Sequence, residues 1–203
     1  MINGTLFAPD NPSIGRQFPN PEADTLWDEF ALTRTIVISA EDVRKLGKDP
    51  ETVAKFEDDY WHLGENAYMA QLDVFHQLHC LNTFRHLAYP QYYEAHVDHP
   101  LWYIHLNHCM DVLMQNIMCN ANTDLVTMQW METQAIPQPD FSINHQCRDF
   151  NTLLSWRKET AVDLNKWIAM VKPKGVYEVP VQEEFWEIFD PNKTGYVKPV
   201  VED

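Results

Sequence analysis

Residues 71–87 of the 203-residue chain read QLDVFHQLHCLNTFRHL, and this stretch decides the fold. Its apolar positions fall on almost all sides of a helical wheel, which is typical of a helix that is buried on every face. Those positions are Leu72, Val74, Phe75, Leu78, Leu81, Phe84 and Leu87. Tyr89 and Pro90 end the pattern, since a proline cannot continue the hydrogen bonding of a helix. The stretch therefore predicts a buried helix over residues 71–87.

A second helix of the same kind is predicted over residues 100–119, which read PLWYIHLNHCMDVLMQNIMC. Pro100 is favourable at the first helical position because its φ is already fixed near the helical value. The apolar positions, again on most sides of the wheel, include Trp102, Ile104, Leu106, Val112, Leu113 and Ile117. Two buried helices, joined by a loop rich in Tyr and His, thus form the centre of the predicted fold.

Shorter elements are predicted before and after these two helices. They are a helix over residues 22–32 that buries Leu26, Trp27 and Phe30, a strand over residues 35–38, a helix from the N-cap Ser39 through Lys45, and a helix over residues 148–162. Prolines recur in residues 1–21 and 163–203, so we expect an extended arm and a strap there. The predicted fold class is mainly α: one compact helical domain over residues 1–203, with short β-segments and its core over residues 22–162.

The charge of the chain excludes one class of partner. Fifteen Lys and Arg residues against thirty Asp and Glu give a formal charge of −15, and such a field repels a phosphate backbone. We therefore expect no nucleic-acid partner. The sequons at Asn3 and Asn192 would accept glycans if the protein entered the secretory pathway.

Both central helices carry the pattern H-x-x-H-C. The two copies, 29 residues apart, are His76-Gln77-Leu78-His79-Cys80 and His105-Leu106-Asn107-His108-Cys109. Residues i and i+3 of a helix lie roughly 60° apart on the wheel and about 4.5 Å apart along the axis, so each pair directs two imidazoles toward one point. Four imidazoles inside apolar helices would be costly to bury without partners, and a metal ion would provide a partner for each. The repeated motif therefore predicts a metal site.

The identity of the metal stays open at this point of the argument. Imidazole ligands suit copper, zinc, iron or nickel, whereas the Glu-x-x-His pairs of a di-iron bundle are absent. Two antiparallel helices would present either one ion with four histidines or two ions with two each. His145 is a further candidate ligand, because a disulfide from Cys147 would bring it close to the others. The side chains available to hydrogen-bond the ligands are Asp73, Asp111, Tyr92 and Tyr93.

The four cysteines have two possible fates. In an oxidising compartment Cys80 and Cys109 would form disulfides with Cys119 and Cys147, whereas in a reducing compartment they would be thiolate ligands. The even number of cysteines and the two sequons favour the disulfides.

Together with residues 145–150, which read HQCRDF, the two H-x-x-H-C motifs resemble the UstYa-like family of fungal biosynthetic proteins, named for ustiloxin biosynthesis. The resemblance extends from residue 27 to about residue 156, and the three motifs occur in the family's order. The chain departs from the family pattern at two positions: it has Met114 where relatives usually have Arg, and Asn122 where they usually have Asp.

The resemblance implies an oxidative tailoring enzyme of fungal secondary-metabolite, mycotoxin or peptide natural-product biosynthesis. The reaction would be hydroxylation, halogenation, desaturation or oxidative cyclisation of a small-molecule or peptide substrate. The implied cofactor is copper, as two ions or as one, with dioxygen or peroxide as the oxidant. The implied ligands are His76, His79, His105 and His108, with His145 in addition.

The resemblance also implies a location and partners. Relatives usually carry an N-terminal transmembrane anchor, so the full-length protein would be tethered to a membrane with this domain in the lumen of the secretory pathway. Association with other enzymes of the pathway is a further expectation.

Two other functions remain open. A metal-stabilised or metal-free accessory protein would act as a scaffold for another pathway enzyme, and it would leave Trp-rich surface patches exposed for its partner. A hydrolytic zinc enzyme would need an open coordination position, and four histidines leave one only if the site is divided between two ions.

Overall fold

The computed structural model describes residues 5, 7–93, 100–133, 135–181 and 183. The helices in this part of the chain are α1 (Pro21–Ala31), α2 (Ala40–Lys45), α3 (Asp58–Trp61), α4 (Asp73–Ala88), α5 (Pro100–Asn120), α6 (Phe150–Thr160) and α7 (Leu164–Ala169). The strands are β1 (Ile36–Ile38), β2 (Tyr68–Ala70), β3 (Thr127–Gln129) and β4 (Gln138–Asp140). The prediction of a mainly α fold with short β-segments is confirmed.

The elements belong to two compact units, each assembled from three stretches of chain. The first unit comprises residues 1–32, 73–95 and 108–158, and the second comprises residues 33–72, 96–107 and 159–203. The first unit therefore contains α1, α4, the strands β3 and β4, and the larger part of α5. The core over residues 22–162 and the strap over residues 163–203 remain predictions.

The second unit is built around the antiparallel pair of β1 and β2, in which Val37 faces Met69. Its core is formed by Phe56, Trp61 and Ala67, and the half-buried Trp167 packs against this cluster. Trp167 lies on α7, so the region predicted as an extended strap contains a helix. That helix was not predicted because it has only six residues, too few to show an apolar period.

Helix α1 begins at Pro21, one residue before the predicted start, and the side chain of Asn20 caps it by accepting a hydrogen bond from the backbone N–H of Ala23. Its buried face differs from the predicted one. Ala23, Trp27 and Ala31 are buried at intervals of four residues, whereas Leu26 is exposed. Ala23 and Ala31 flank Trp27 on this face, and their small side chains allow the helix to approach its neighbour closely.

The two long helices differ in burial. Helix α4 buries Phe75, Cys80 and Asn82, but Cys109 is the fully buried residue of α5. The large side chains of α5 that are exposed within the first unit are Met110, Met114, Ile117 and Met118. The prediction that both helices are buried on all sides is therefore wrong, since Leu81 on α4 is also 46% exposed. Apolar residues on all sides of a helix favour its burial, but burial also requires neighbouring elements that cover each side. Within the described residues, no helix is long and apolar enough to cross a membrane.

Arg157 on α6 braces the start of α4. Only 1% of the residue is exposed, and its guanidinium donates to the carbonyl of Leu32 and to both the carbonyl and the carboxylate of Glu29, at 2.7–2.8 Å. The same guanidinium lies 3.9 Å from the ring centroid of Phe75, a favourable cation–π contact. Phe75 immediately precedes the first motif histidine, so this buried cation fixes the backbone from which that histidine projects.

A second polar cluster anchors the end of α4 to α1. Asp24 accepts hydrogen bonds from Arg85 at 2.6 Å, from Tyr93 at 2.5 Å and from Tyr92 at 3.0 Å. The Arg85 guanidinium also lies 5.3 Å from the ring of Trp27. Burial alone would raise the pKa of Asp24, but the three hydrogen bonds outweigh it and hold that pKa below its usual value.

Replacing Arg157 tests whether its contacts with Leu32, Glu29 and Phe75 stabilise the fold. The change Arg157→Met removes a buried guanidinium and leaves the carbonyl groups of Leu32 and Glu29 without this donor, so we expect the free energy of unfolding to fall by about 3 kcal/mol. The control is Lys158→Met, because Lys158 also pairs with Glu29 but its side chain is 54% exposed. Removing it should change the stability by less than about 0.5 kcal/mol. Urea unfolding followed by tryptophan fluorescence measures both, and equal losses would contradict this role of Arg157.

The Asp24 cluster predicts a stability that depends on pH. Because the pKa of Asp24 is lower in the folded chain, its contribution is present above the unfolded pKa of about 3.9 and is lost as the pH falls through the folded pKa. Asp24→Asn should therefore destabilise the chain by about 1–2 kcal/mol at pH 7 and by much less near pH 2.5. Urea unfolding of wild type, Asp24→Asn and the control Asp28→Asn at both pH values gives the comparison. A penalty that is the same at both pH values would show that the charge of Asp24 is not what stabilises the fold.

Candidate metal centre

The two long helices bring one histidine of each motif together. The ring centroids of His76 on α4 and His108 on α5 are 5.5 Å apart, with 36° between the ring planes. His79, one turn after His76 on α4, lies with its ring centroid 6.5 Å from that of His76 and nearly parallel to it. The spacing predicted a convergence of the two motifs, and the structure places these three imidazoles next to one another.

His105 precedes His108 by one turn of α5. Residues three apart on a helix share a face, so the second motif keeps the geometry that its spacing predicts. Among the described residues, no group of three or more His, Cys, Asp or Glu side chains is already arranged to hold a metal ion. The set of five histidine ligands therefore stays a prediction. What the structure shows is the approach of His76 to His108.

His76 has a polar neighbour near each ring nitrogen. Its Nδ1 lies 3.8 Å from Oδ1 of Asp73, one turn earlier on α4, and its Nε2 lies 3.9 Å from Sγ of Cys80. Neither contact is a tight hydrogen bond, and the His76 side chain is 33% exposed. The His76 imidazole is therefore partly exposed, with a carboxylate near Nδ1 and a thiol near Nε2.

The motif cysteines both lie in the interior. Cys80 and Cys109 are fully buried. Burial, reinforced by the neighbouring Cys80 thiol, raises the pKa of Cys109 to about 12. At neutral pH this group is a protonated thiol, which is a poor metal ligand compared with a neutral imidazole. Cys119 and Cys147, the expected partners of these cysteines, are instead exposed.

His145 is held by a carboxylate that the sequence analysis did not single out. Its Nδ1 lies 2.5 Å from Oδ2 of Asp124, and the hydrogen bond from His145 keeps the pKa of Asp124 below its usual value. Asn122 shapes this loop, since its Oδ1 accepts the backbone N–H of Asp124. Asn122 replaces the Asp that relatives usually have at this position. Asp124, two positions later, could have been recognised from the sequence as the acidic residue that takes its place. The arrangement leaves Nε2 of His145 available, as in a histidine whose orientation is set for metal binding.

The histidine pair fits the donor chemistry of an imidazole-binding metal. Metal–nitrogen bonds are about 2 Å long, so two imidazoles whose centroids are 5.5 Å apart are close enough to share one ion. The residues that could hold a metal are thus His76 and His108, with His79 adjacent. The described side chains offer nitrogen donors at this place, and the buried Cys109 thiol beside them is protonated.

Other predicted residues lie elsewhere. Tyr92 and Tyr93, expected to support the metal ligands, hydrogen-bond Asp24 instead, and Asp111 accepts a hydrogen bond from Gln115 on its own helix. The glycosylation candidates Asn3 and Asn192 lie outside the described residues.

Comparisons with known proteins agree with the motifs. The family described as mycotoxin biosynthesis protein UstYa matches residues 2–160. The chain is 46% identical over 195 residues to the UstYa family oxidase aprY of Aspergillus flavus. This alignment covers 92% of the chain and 58% of aprY. It is 27% identical over 161 residues to the UstYa family oxidase phomYc of Diaporthe leptostromiformis, covering 74% of the chain and 60% of phomYc.

A third relative covers less of both chains. The chain is 35% identical over 97 residues to the oxidase ustYa of Aspergillus flavus, covering 44% of the chain and 41% of ustYa. The chain thus spans about three fifths of the length of aprY and phomYc. No solved structure matches it.

The contact between Asp124 and His145 predicts one tautomer of this histidine. A carboxylate next to Nδ1 favours the proton on Nδ1, whereas an unperturbed imidazole prefers the proton on Nε2. Nitrogen-15 NMR at pH 8 should show His145 as the Nδ1–H form in wild type and should show that form diminished in Asp124→Asn. Asp140→Asn is the matched control, because Asp140 hydrogen-bonds Gln129 within the strand pair. An Nε2–H tautomer in wild type would contradict the contact.

Proposed function

Because the chain belongs to the UstYa family, we propose that it is a copper-dependent oxidative tailoring enzyme of fungal mycotoxin or related secondary-metabolite biosynthesis. The observation that carries this proposal is the approach of His76 to His108, 5.5 Å apart, from two helices that each carry an H-x-x-H-C motif. Relatives named as oxidases support the oxidative class of reaction. Imidazole donors support copper over a metal that prefers carboxylates.

The residues that would hold copper are His76, His79, His105 and His108, with His145 in addition. Copper bound there, as two ions or as one, would supply the redox chemistry that lets dioxygen or peroxide oxidise a C–H bond. The outcome would be hydroxylation, halogenation, desaturation or oxidative cyclisation, depending on how the substrate is held.

The chain's own residues contribute position and electrostatics. Arg157 and Phe75 fix the backbone next to His76, while Asp73 stays 3.8 Å from the Nδ1 atom of that histidine. Asp124 sets the orientation of His145 and leaves its Nε2 available. Such supporting contacts determine which nitrogen of an imidazole is presented, and their loss commonly costs roughly 10–100-fold in metal affinity.

The substrate class and the location are part of the same proposal. We expect a small-molecule or peptide natural product as the substrate, and the formal charge of −15 argues against a nucleic acid. The full-length protein would face the lumen of the secretory pathway, tethered by an N-terminal transmembrane helix. Other enzymes of the pathway are the expected partners.

An accessory role is the alternative that a specific observation favours. Trp130 follows β3 with 77% of its surface exposed, and Ile117 on α5 is 71% exposed. Large exposed apolar residues are typical of surfaces that bind another protein. On this alternative the chain would position a pathway enzyme and would carry no redox-active metal.

Copper binding by variants tests the proposal. We expect His76→Ala and His108→Ala each to weaken binding of Cu²⁺ by at least roughly 100-fold, because removal of a ligand should exceed the 10–100-fold cost of losing its supporting contact. His62→Asn is the matched control. It also removes one imidazole, and Asn tolerates the left-handed backbone of this position, where φ is 57°. Isothermal titration calorimetry in a competing chelator measures all four proteins.

Redox activity then separates the enzyme from the accessory protein. Copper-loaded wild type should consume dioxygen when ascorbate is supplied, and both alanine variants should lose this activity while His62→Asn keeps it. Wild-type affinity in both alanine variants would overturn the assignment of ligands. Bound copper that consumes no dioxygen would favour the accessory role.

A further inference from the structure

We propose that Cys80 and Cys109 form a disulfide that links α4 to α5 beside the motif histidines. The inference stands apart from the proposed function, because it needs no bound metal. Both cysteines are completely buried, and each directly follows the second histidine of its motif. The ring centroids of His76 and His108 are 5.5 Å apart, and the Cys80 thiol helps to raise the pKa of the Cys109 thiol. The two cysteines come from two separate helices and belong to the same compact unit.

The shared burial of the two cysteines makes this pairing the one that the fold favours. A disulfide needs two cysteines that face each other, and Cys80 and Cys109 lie fully buried on two helices of the same compact unit. Cys119 and Cys147 are exposed, and Sγ of Cys147 lies 3.9 Å from the backbone carbonyl of His145. The pairing of the motif cysteines with these two, which the sequence favoured, differs from the pairing that the structure brings together.

The chemistry of the bond is thiol–disulfide exchange. The two cysteines give up two electrons and two protons, and an external disulfide, such as glutathione disulfide or that of an oxidoreductase, takes them up and becomes two thiols. The exchange needs access to a thiolate, which complete burial prevents in the folded chain. The bond therefore forms while the chain is folding and is shielded from reductants afterwards.

The disulfide would act directly on the first motif histidine. Sγ of Cys80 lies 3.9 Å from Nε2 of His76. A thiol there can donate its proton toward the ring nitrogen, whereas a disulfide sulfur has no proton to donate. Closing the bond thus leaves the lone pair of Nε2 available. It also fixes the two backbone positions directly after His79 and His108.

Counting accessible thiols tests the pairing. The full chain is folded in a buffer of reduced and oxidised glutathione, then denatured and alkylated with N-ethylmaleimide before mass spectrometry. We expect two labels per chain without prior reduction and four after reduction. A digest prepared without reductant should contain one linked peptide pair that joins Cys80 to Cys109. The matched control, Cys119→Ser with Cys147→Ser, should take up no label before reduction and two after it.

Protection from reductant tests the burial of the bond. Dithiothreitol should break it at least roughly tenfold more slowly in native buffer than in urea, because the attacking thiolate must reach a buried sulfur. Four labels before reduction, or a linked peptide that contains Cys119 or Cys147, would overturn the proposal. Equal rates of reduction in the two buffers would contradict a bond buried between the helices.

Discussion

The approach of α4 to α5 at the two motifs is the constraint on which the histidine arrangement depends. The ring centroids of His76 and His108 are 5.5 Å apart, and Cys80 and Cys109 are completely buried. Each cysteine follows the second histidine of its motif, so burial and the histidine contact occur in the same part of the two helices. A shift of either helix by one residue would turn its imidazoles by about 100° around the axis. The proximity of His76 and His108 therefore depends on the register in which the two helices pack.

Polar groups help to hold α4 in this position, together with the packing of Phe75 against Phe150. Arg157 bonds to backbone and carboxylate groups near the end of α1, and Asp24 collects three donors near the end of α4. Groups of this kind are costly to bury unless each finds its partner, so they define one arrangement more sharply than apolar contacts do. The apolar side chains of α5 that stay exposed contribute little to fixing that helix.

The local features of the fold were predictable from the sequence. The period of apolar residues gave α1, α4, α5 and α6, and Ser39 caps α2 as its hydroxyl group predicts. The H-x-x-H-C repeat similarly predicted that two imidazole pairs would converge. These features were accessible because each depends on residues within one or two helical turns.

The features that the sequence did not reveal depend on distant partners. Arg157 can be buried because it finds hydrogen-bond acceptors, and these lie 125 and 128 residues earlier in the chain. Asp124 contacts His145 across 21 residues, and the approach of His76 to His108 requires two helices to pack in a particular register. Helices as short as α3 and α7 carry too few residues to show a period. Composition and spacing contain none of this information, since it arises only once the chain has folded.

The identity and number of bound metal ions test the central claim most directly. The claim is that the paired motifs of α4 and α5 form a copper site. Inductively coupled plasma mass spectrometry of protein secreted by a eukaryotic host, followed by electron paramagnetic resonance of the same sample, measures both. One copper ion per chain with a full signal and nitrogen hyperfine splitting, or two with a weak coupled signal, is the predicted result. Stoichiometric zinc, or no metal after loading with copper, would contradict the account.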